Sequence, residues 1–356
     1  MWKYVTRIGI NALYLIPGGV GGTEIYLRSL LQALAAVDQQ NDYVIFTNRE
    51  TGGDIVPSQS NFTAVQQPVR ATFRPWRLLW EQSGLPLAVK RQRIDVLLNP
   101  GFTSPTICSC PTVTVFHDLQ HKRCPQHFRW WELPFWKLFL WASVKSSNRI
   151  IAVSAATRDD LVRFYNIKAE IIHHGVEPKF FEIANQREPR GYILCVSTLH
   201  PHKNLRRLLQ VHARTTGLPA LVITGLKGFA TKEIEKLAGR NVRTTGWIPR
   251  EEVYELFRCA DAFVYPSTFE GFGMPVLEAM AAGVPVACSD IPPLKEVAGP
   301  TVLYFNPADE NEIQDAIQQL MHESGLVESA RARAAGFTWE KSARETLRVL
   351  LAHTTI

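Results

Sequence analysis

The sequence predicts an α/β protein made of two doubly wound, Rossmann-like domains, and three observations carry that prediction. Short strand-like runs alternate with helical stretches, as βαβ units around a mainly parallel sheet require. The alternation restarts near residue 192, after a polar, proline-containing stretch at 184–190 (ANQREPR) that reads as a linker. The length, 356 residues, fits about two domains at ~150 residues each. A hydrophobic fraction of 46% with 20% charged residues is that of a globular chain and excludes a disordered or collagen-like one.

The elements follow in order. Residues 7–15 (RIGINALYL) read as a buried strand. A glycine loop, PGGVGGTE, leads into an amphipathic helix at about 23–36, where Ile25, Leu27, Leu30, Leu31, Leu34 and Ala35 recur at helical spacing. Strands are expected at 43–47, 95–99 and 112–116, the last ending at His117-Asp118, then a long aromatic-rich helix at 129–147. A strand at 149–153, a helix at 155–165 and a strand at 170–173 complete the first set. The second set has strands at 192–197, 220–224, 242–245, 262–265 and 284–288, with helices at 205–215, 232–238, 251–259, 275–282 and 310–321. Pro275 in the first turn and Gly283 just past the end bound one of these helices in the expected asymmetric way.

Charge is uneven. Residues 1–180 carry +7 and residues 181–356 carry −1, within a net +6. A basic half suits an anionic partner such as an acidic membrane face or a phosphorylated acceptor, and equally suits simple solubility. No known reading motif accompanies it, which disfavours nucleic-acid binding. No apolar run approaches the ~18–20 residues of a membrane span, and residues 1–16 lead into the glycine loop without a signal-peptide cleavage pattern. The cysteines at 108, 110, 124, 195, 259 and 288 lack zinc-ligand spacing and read as reduced, cytosolic thiols. No D-x-D occurs, so no metal is expected.

Two segments could carry chemistry. The loop at 17–23 has glycines at 18, 19, 21 and 22, which let backbone N–H groups approach a phosphate at a helix end. It is not G-x-G-x-x-G, so a nicotinamide site is disfavoured, and a ligand-free tight turn stays open. In 265–283 (YPSTFEGFGMPVLEAMAAG), Gly271 and Gly273 permit close backbone approach to an anion. Glu278, in an E-x7-E pair with Glu270, could grip a vicinal diol such as ribose or merely complement the helix dipole. Residues 129–141 hold four of the nine tryptophans with Arg129, Lys137 and Lys145 nearby, and read as a core helix before an interfacial one. The basic stretch 70–93 (Arg70, Arg74, Arg77, Lys90, Arg91, Arg93) is the better membrane-contact candidate.

At 246–299 the chain resembles the retaining glycosyltransferases of family 4, which have the GT-B fold. The resemblance rests on the G-W-x-P turn, the E-x7-E block and the tail SDIPPLKEVAG. TVFHDL at 114–119, IAVSA at 151–155, HGVE at 174–177, STLHPHKNL at 197–205 and FTWEKS at 337–342 extend it along most of the chain. It implies a first domain of 1–183, completed by 337–356 crossing back, and a nucleotide-sugar-binding domain of 184–336. Glu278 would hold the ribose and Lys203 the diphosphate. The amides of Gly271, Phe272, Gly273 and Met274 would contact phosphate and sugar, with Glu270 near the sugar hydroxyls. Ile248 would lie by the base, and His117 by the sugar in the interdomain cleft. For the glycine loop either Gly18-Gly19 or Gly21-Gly22 matches the family's pair, so Gly19 and Gly22 are both donor-site candidates. Thr198 stands where many members have Arg, and His202 where Arg precedes the Lys, a poorer diphosphate partner.

The function so implied is metal-independent, retaining transfer of a hexose from a nucleotide-sugar, GDP-mannose or a UDP-sugar, to a saccharide or lipid-linked saccharide. Resemblance to mannosyltransferases of cell-envelope polysaccharide (lipopolysaccharide) assembly places it in the cytoplasm, with peripheral contact at the inner membrane face. The alternatives are a non-catalytic, partner-dependent sugar-nucleotide-binding subunit and a nucleotide-sugar epimerase of similar fold.

Overall fold

The computed structural model describes residues 5–19, 21–322 and 325–352. It divides into one unit of Met1–Gly175 with Trp339–Ile356 and another of Val176–Thr338. In the first, strands β1 (Arg7–Asn11), β2 (Asp42–Thr47), β3 (Phe62–Gln66), β4 (Val96–Asn99), β5 (Thr112–Phe116), β6 (Arg149–Ala152) and β7 (Glu170–Ile171) are joined by five helices. These are α1 (Gly22–Val37), α2 (Arg74–Arg91), α3 (Gln120–Arg123), α4 (Leu133–Ser146) and α5 (Ala155–Tyr165). The sheet order is β3-β2-β1-β4-β5-β6-β7 and every pairing is parallel. Strands buried on both faces must be apolar throughout, which is why Ile8, Ile10, Val96, Leu97 and Leu98 are fully buried.

The second unit runs α6 (Pro178–Ala184), β8 (Tyr192–Val196), α7 (Leu205–Arg214), β9 (Ala220–Thr224), α8 (Thr231–Leu237), β10 (Val242–Gly246) and α9 (Arg250–Cys259). It continues through β11 (Ala262–Tyr265), α10 (Met274–Ala281), β12 (Val286–Ser289), α11 (Pro292–Ala298), β13 (Leu303–Phe305), α12 (Glu310–Leu320) and α13 (Val327–Ala334). Its parallel sheet has the order β10-β9-β8-β11-β12-β13. The chain then returns: α14 (Trp339–Leu351) belongs to the first unit and packs along α1, with Trp339 5.9 Å from Tyr26 ring to ring.

Several expectations shift. The division falls at 175/176, not 183/184, because Phe180 of α6 packs on Tyr254 and Phe257 of α9, ring centroids 5.1 and 5.2 Å apart. It closes at 338/339 instead of 336/337, since Thr338 bridges to Val176 and Phe337 lies 6.0 Å from Phe272. The helix expected at 129–147 begins at Leu133, with Pro134 in its first turn. The strand expected at 284–288 begins at Val286, after Pro285, whose missing N–H makes no ladder bond. The sequence reading does not anticipate β3, α2, α3, α6, α11, β13 or α13. All six cysteines are free thiols.

The aromatic helix is core on one face, where Leu140 and Val144 pack with Phe116 and Leu119, and exposed on the other. Trp130 is 80% exposed and Phe135 65%, and Trp131, Leu138 and Trp141 are each at least half exposed. On α4, Phe135, Leu138 and Trp141 recur at helical spacing, so they share one outward face with Lys145. Exposed Trp76, Leu79 and Leu87 likewise lie on one side of α2. The two helices are tied together at Ser104, whose N–H donates to Ser143 Oγ of α4 and whose carbonyl accepts from Gln82 Nε2 of α2. Arg77 leaves the expected basic cluster: it is buried, 3.4 Å from the fully buried Glu81 carboxylate, which also accepts from Thr103.

Burial works against the charge on both Glu81 and Arg77, and each opposes that effect in the other. Glu81→Ala should therefore strand a buried guanidinium and cost about 3–5 kcal/mol of stability, read from urea unfolding. A loss below about 1 kcal/mol would show that the pair is dispensable.

Candidate active site

In a doubly wound sheet a crevice opens at the carboxyl ends of the two strands from which the chain winds in opposite directions. In the second unit these are β8 and β11. The segment after β8 closes in a 3-10 turn, Pro201–Lys203, and the segment after β11 carries Glu270 into α10. The two loops are clamped together: the His202 carbonyl accepts from Ser267 Oγ (3.2 Å), Thr268 N (2.8 Å) and Thr268 Oγ1 (3.0 Å). This clamp sets Lys203 Nζ 2.6 Å from Glu270 Oε1 and 3.0 Å from the Tyr265 hydroxyl. Both charged side chains are 11% exposed.

Gly273 is the N-cap of α10 with φ 107°, and a Cβ there would fall 2.3 Å from Leu294 Cδ2, so glycine is required on both counts. Its neighbours Gly271 and Met274 are half-buried and Phe272 is buried. Thr198 is half-buried at the same crevice, beside Gly225, where a Cβ would strike the Ser197 carbonyl at 2.2 Å. His202 points its ring into packing, 5.8 Å from the His200 ring and edge-on to Phe269 at 6.4 Å.

Glu278 is buried in the second turn of α10. Its Oε1 accepts from Arg250 Nη2 at 2.5 Å, and the same Nη2 reaches Glu177 Oε1 at 2.5 Å. Burial raises the Glu278 pKa and Arg250 opposes it. Burial likewise disfavours the Arg250 charge, but Glu278 and Glu177 outweigh it and raise the guanidinium's pKa. Ile248 lies half-buried between β10 and α9, two residues before Arg250. Arg250 and Glu177 escaped sequence reading because their pairing joins the G-W-x-P turn to the HGVE turn over a long separation.

In the first unit His117 ends β5, buried, with Nε2–H donating to the Pro100 carbonyl at 2.8 Å. Rings of Tyr26, Phe102 and His174 surround it at 4.8, 5.1 and 5.4 Å. Burial lowers its pKa to about 4, so the imidazole is neutral at pH 7. In the glycine loop Gly18 N–H donates to Glu24 Oε2 and Gly19 N–H to the Ile16 carbonyl, each at 2.8 Å. Both amides of that register are committed internally, whereas Gly21 caps α1 and Gly22 opens it. Val20 lies outside the described residues. Among the described residues no group of three or more His, Cys, Asp or Glu is placed to hold a metal ion. No helix there is long and apolar enough to cross a membrane.

Solved structures share this architecture. Sucrose-phosphate synthase from Thermosynechococcus elongatus matches 97% of this chain and 98% of its own at TM-score 0.75 and 19% identity. Anabaena HepE in complex with UDP and glucose matches 98% and 100% at TM-score 0.75 and 17% identity. Two doubly wound parallel sheets with a C-terminal helix returned to the first define the GT-B class of glycosyltransferases. Within that class, the description "Glycosyltransferase Family 4" matches residues 20–180 and "Glycosyl transferases group 1" residues 176–337. The O-antigen chain mannosyltransferase B of Escherichia coli is 32% identical over 264 residues, 66% of this chain and 68% of that protein. The O-antigen chain mannosyltransferase RfbU of Salmonella typhimurium is 30% identical over 217 residues, 59% and 60% of the two. The chain belongs to the family 4 glycosyltransferases.

The neutral His117 has a stability signature. Below pH 6.5 the unfolded chain binds a proton that the folded imidazole refuses down to about pH 4, so stability rises with pH across that window. His117→Gln should lower the slope there by about one proton, ~1.4 kcal/mol per pH unit, in denaturation series at stepped pH. An unchanged slope would show that His117 titrates normally in the folded protein.

Proposed function

We propose that this glycosyltransferase moves a hexose, mannose from GDP-mannose before glucose from a UDP-sugar, to a saccharide or lipid-linked saccharide in cell-envelope polysaccharide assembly. The names of the Escherichia coli and Salmonella relatives support the mannosyl reading, and the UDP and glucose bound to HepE keep a UDP-sugar as the second choice. The observation that carries the mechanism is the Lys203–Glu270 pair beside the N-terminus of α10. A diphosphate arriving there takes over the ammonium as its counter-charge. That releases Glu270 to accept hydrogen bonds from sugar hydroxyls. Lys203 and the amides at the helix end then stabilise the departing diphosphate as its charge develops, without a metal. Retention of configuration follows the family expectation, with attack on the same face as departure. His117 of the first unit is neutral at pH 7 and held by the Pro100 carbonyl.

The first test is calorimetric titration with GDP-mannose, UDP-glucose and NAD, with and without EDTA, followed by transfer assays on lipid-linked saccharides. Glu278→Gln should weaken nucleotide-sugar binding at least tenfold with the fold intact. Glu270→Ala should lower kcat more than donor affinity. An unchanged dissociation constant in Glu278→Gln removes that residue from the donor site. Binding without transfer would favour the partner-dependent subunit, and release of an isomerised sugar-nucleotide the epimerase.

The same reading places the protein in the cytoplasm at the inner membrane face. What supports it is the outward aromatic side of α4 and the adjoining Trp130 and Trp131, with Arg129, Lys137 and Lys145 among them. Aromatic rings interleaved with cations suit the headgroup boundary of an anionic bilayer. Exposed Arg70, Arg74, Lys90 and Arg91 on and before α2 add charge of the same sign. The protein should float with phosphatidylglycerol vesicles, and Phe135→Glu with Trp141→Glu should abolish flotation. Unchanged flotation would clear this face of membrane contact.

A further inference from the structure

In the second unit the half-buried guanidinium of Arg250 lies between two carboxylates and two aromatic rings. Arg250 Nε and Nη2 reach Glu177 Oε1 at 3.1 and 2.5 Å, and Nη2 also donates to Glu278 Oε1. The Phe180 and Tyr254 rings lie 5.0 and 5.3 Å from the guanidinium carbon, and the Tyr254 hydroxyl donates to Glu177. Glu177 takes two nitrogens and so fixes the guanidinium plane; Glu278 takes one hydrogen bond through Oε1, which leaves Oε2 for a ligand. A purely structural clamp needs one carboxylate per cation. Here two share it, and the more deeply buried of them is Glu278.

We infer that Arg250 is a positioning residue for donor binding: it holds the Glu278 carboxylate charged and oriented so that Oε2 faces the vicinal hydroxyls of the nucleotide's ribose. The inference rests on the donor-site reading of Glu278. The physical reason is the company Glu278 keeps. Burial and Glu177 both favour its protonated form, and Arg250 is the cation that opposes them. The other ionisable groups coupled to it are Tyr265 at the end of β11 and, through Glu177, Tyr254 of α9, both held neutral by burial. A protonated carboxyl presents an O–H donor where the diol needs an acceptor, so loss of the cation would make donor affinity depend on pH.

The experiment is calorimetric titration of the full chain with GDP-mannose and UDP-glucose between about pH 6 and pH 9, a range in which their esterified phosphates keep their charge. Wild-type affinity should vary less than about threefold. Arg250→Met should bind ten times or more weakly at the acid end and recover as pH rises, because the uncompensated Glu278 then titrates within the range. Arg250→Lys should restore a flat profile, and Arg250→Met with Glu278→Gln should be weak and flat. A profile for Arg250→Met parallel to that of the wild type, with the same loss at every pH, would overturn the inference and leave Arg250 a structural clamp. Failure of the wild type to bind either nucleotide-sugar would instead overturn the donor reading beneath it. Should Arg250→Met not fold, the infrared difference between wild type and Glu278→Gln at pH 6 still decides. An ionised carboxylate band is expected, and a protonated carbonyl band would overturn the inference.

Discussion

A parallel sheet gathers the carboxyl ends of its strands along one edge, and that constraint organises this protein. Each strand must be followed by a crossover, so each contributes one loop to the same edge. Where the winding reverses, at β8 and β11 in the second unit, neighbouring loops part and leave room for a ligand. Lys203, Glu270 and the glycine-capped start of α10 all stand on loops or turns issuing from those two strands. The site is therefore positioned by sheet register and by the His202 carbonyl clamp, before any side chain chooses a rotamer.

Charge burial is handled in three ways. The Arg77–Glu81 pair is sealed within the first unit and neutralises itself. Lys203 and Glu270 pair at the crevice, both slightly exposed. Arg250 is shared by two carboxylates. The second and third lie near the start of α10, and burying such charge is costly in a low-dielectric interior.

Much of this was legible in the sequence. Strands β1, β5, β9 and β11 announce themselves as apolar runs ending at punctuating residues, and the E-x7-E block locates α10 and its cap. What escaped reading has physical causes. β3 shows mostly exposed residues, so no run of apolar positions marks it. α2 carries an internal Pro86 and exposed Trp76, Leu79 and Leu87, which blur its amphipathic pattern. The core reading of α4 holds for Leu140 and Val144 but not for its aromatic face, because hydrophobicity alone does not say which way a side chain points. At the site, the contacts of the His202 ring with His200 and Phe269 join two loops, and no local pattern announces them. The Glu177–Arg250–Glu278 cluster is assembled from three distant segments, and no local pattern encodes it.

The return of α14 to the first unit has a consequence for synthesis. Residues 176–338 form a continuous segment, so every partner in that unit is synthesised before α14. The first unit is discontinuous: Tyr26, His174 and Trp339 meet in one aromatic cluster, and α1 lies uncovered until α14 has been made. The apolar side of α1 must wait through the translation of an entire second unit. The first unit thus cannot close this aromatic cluster until α14 has been synthesised, after the whole of the second unit.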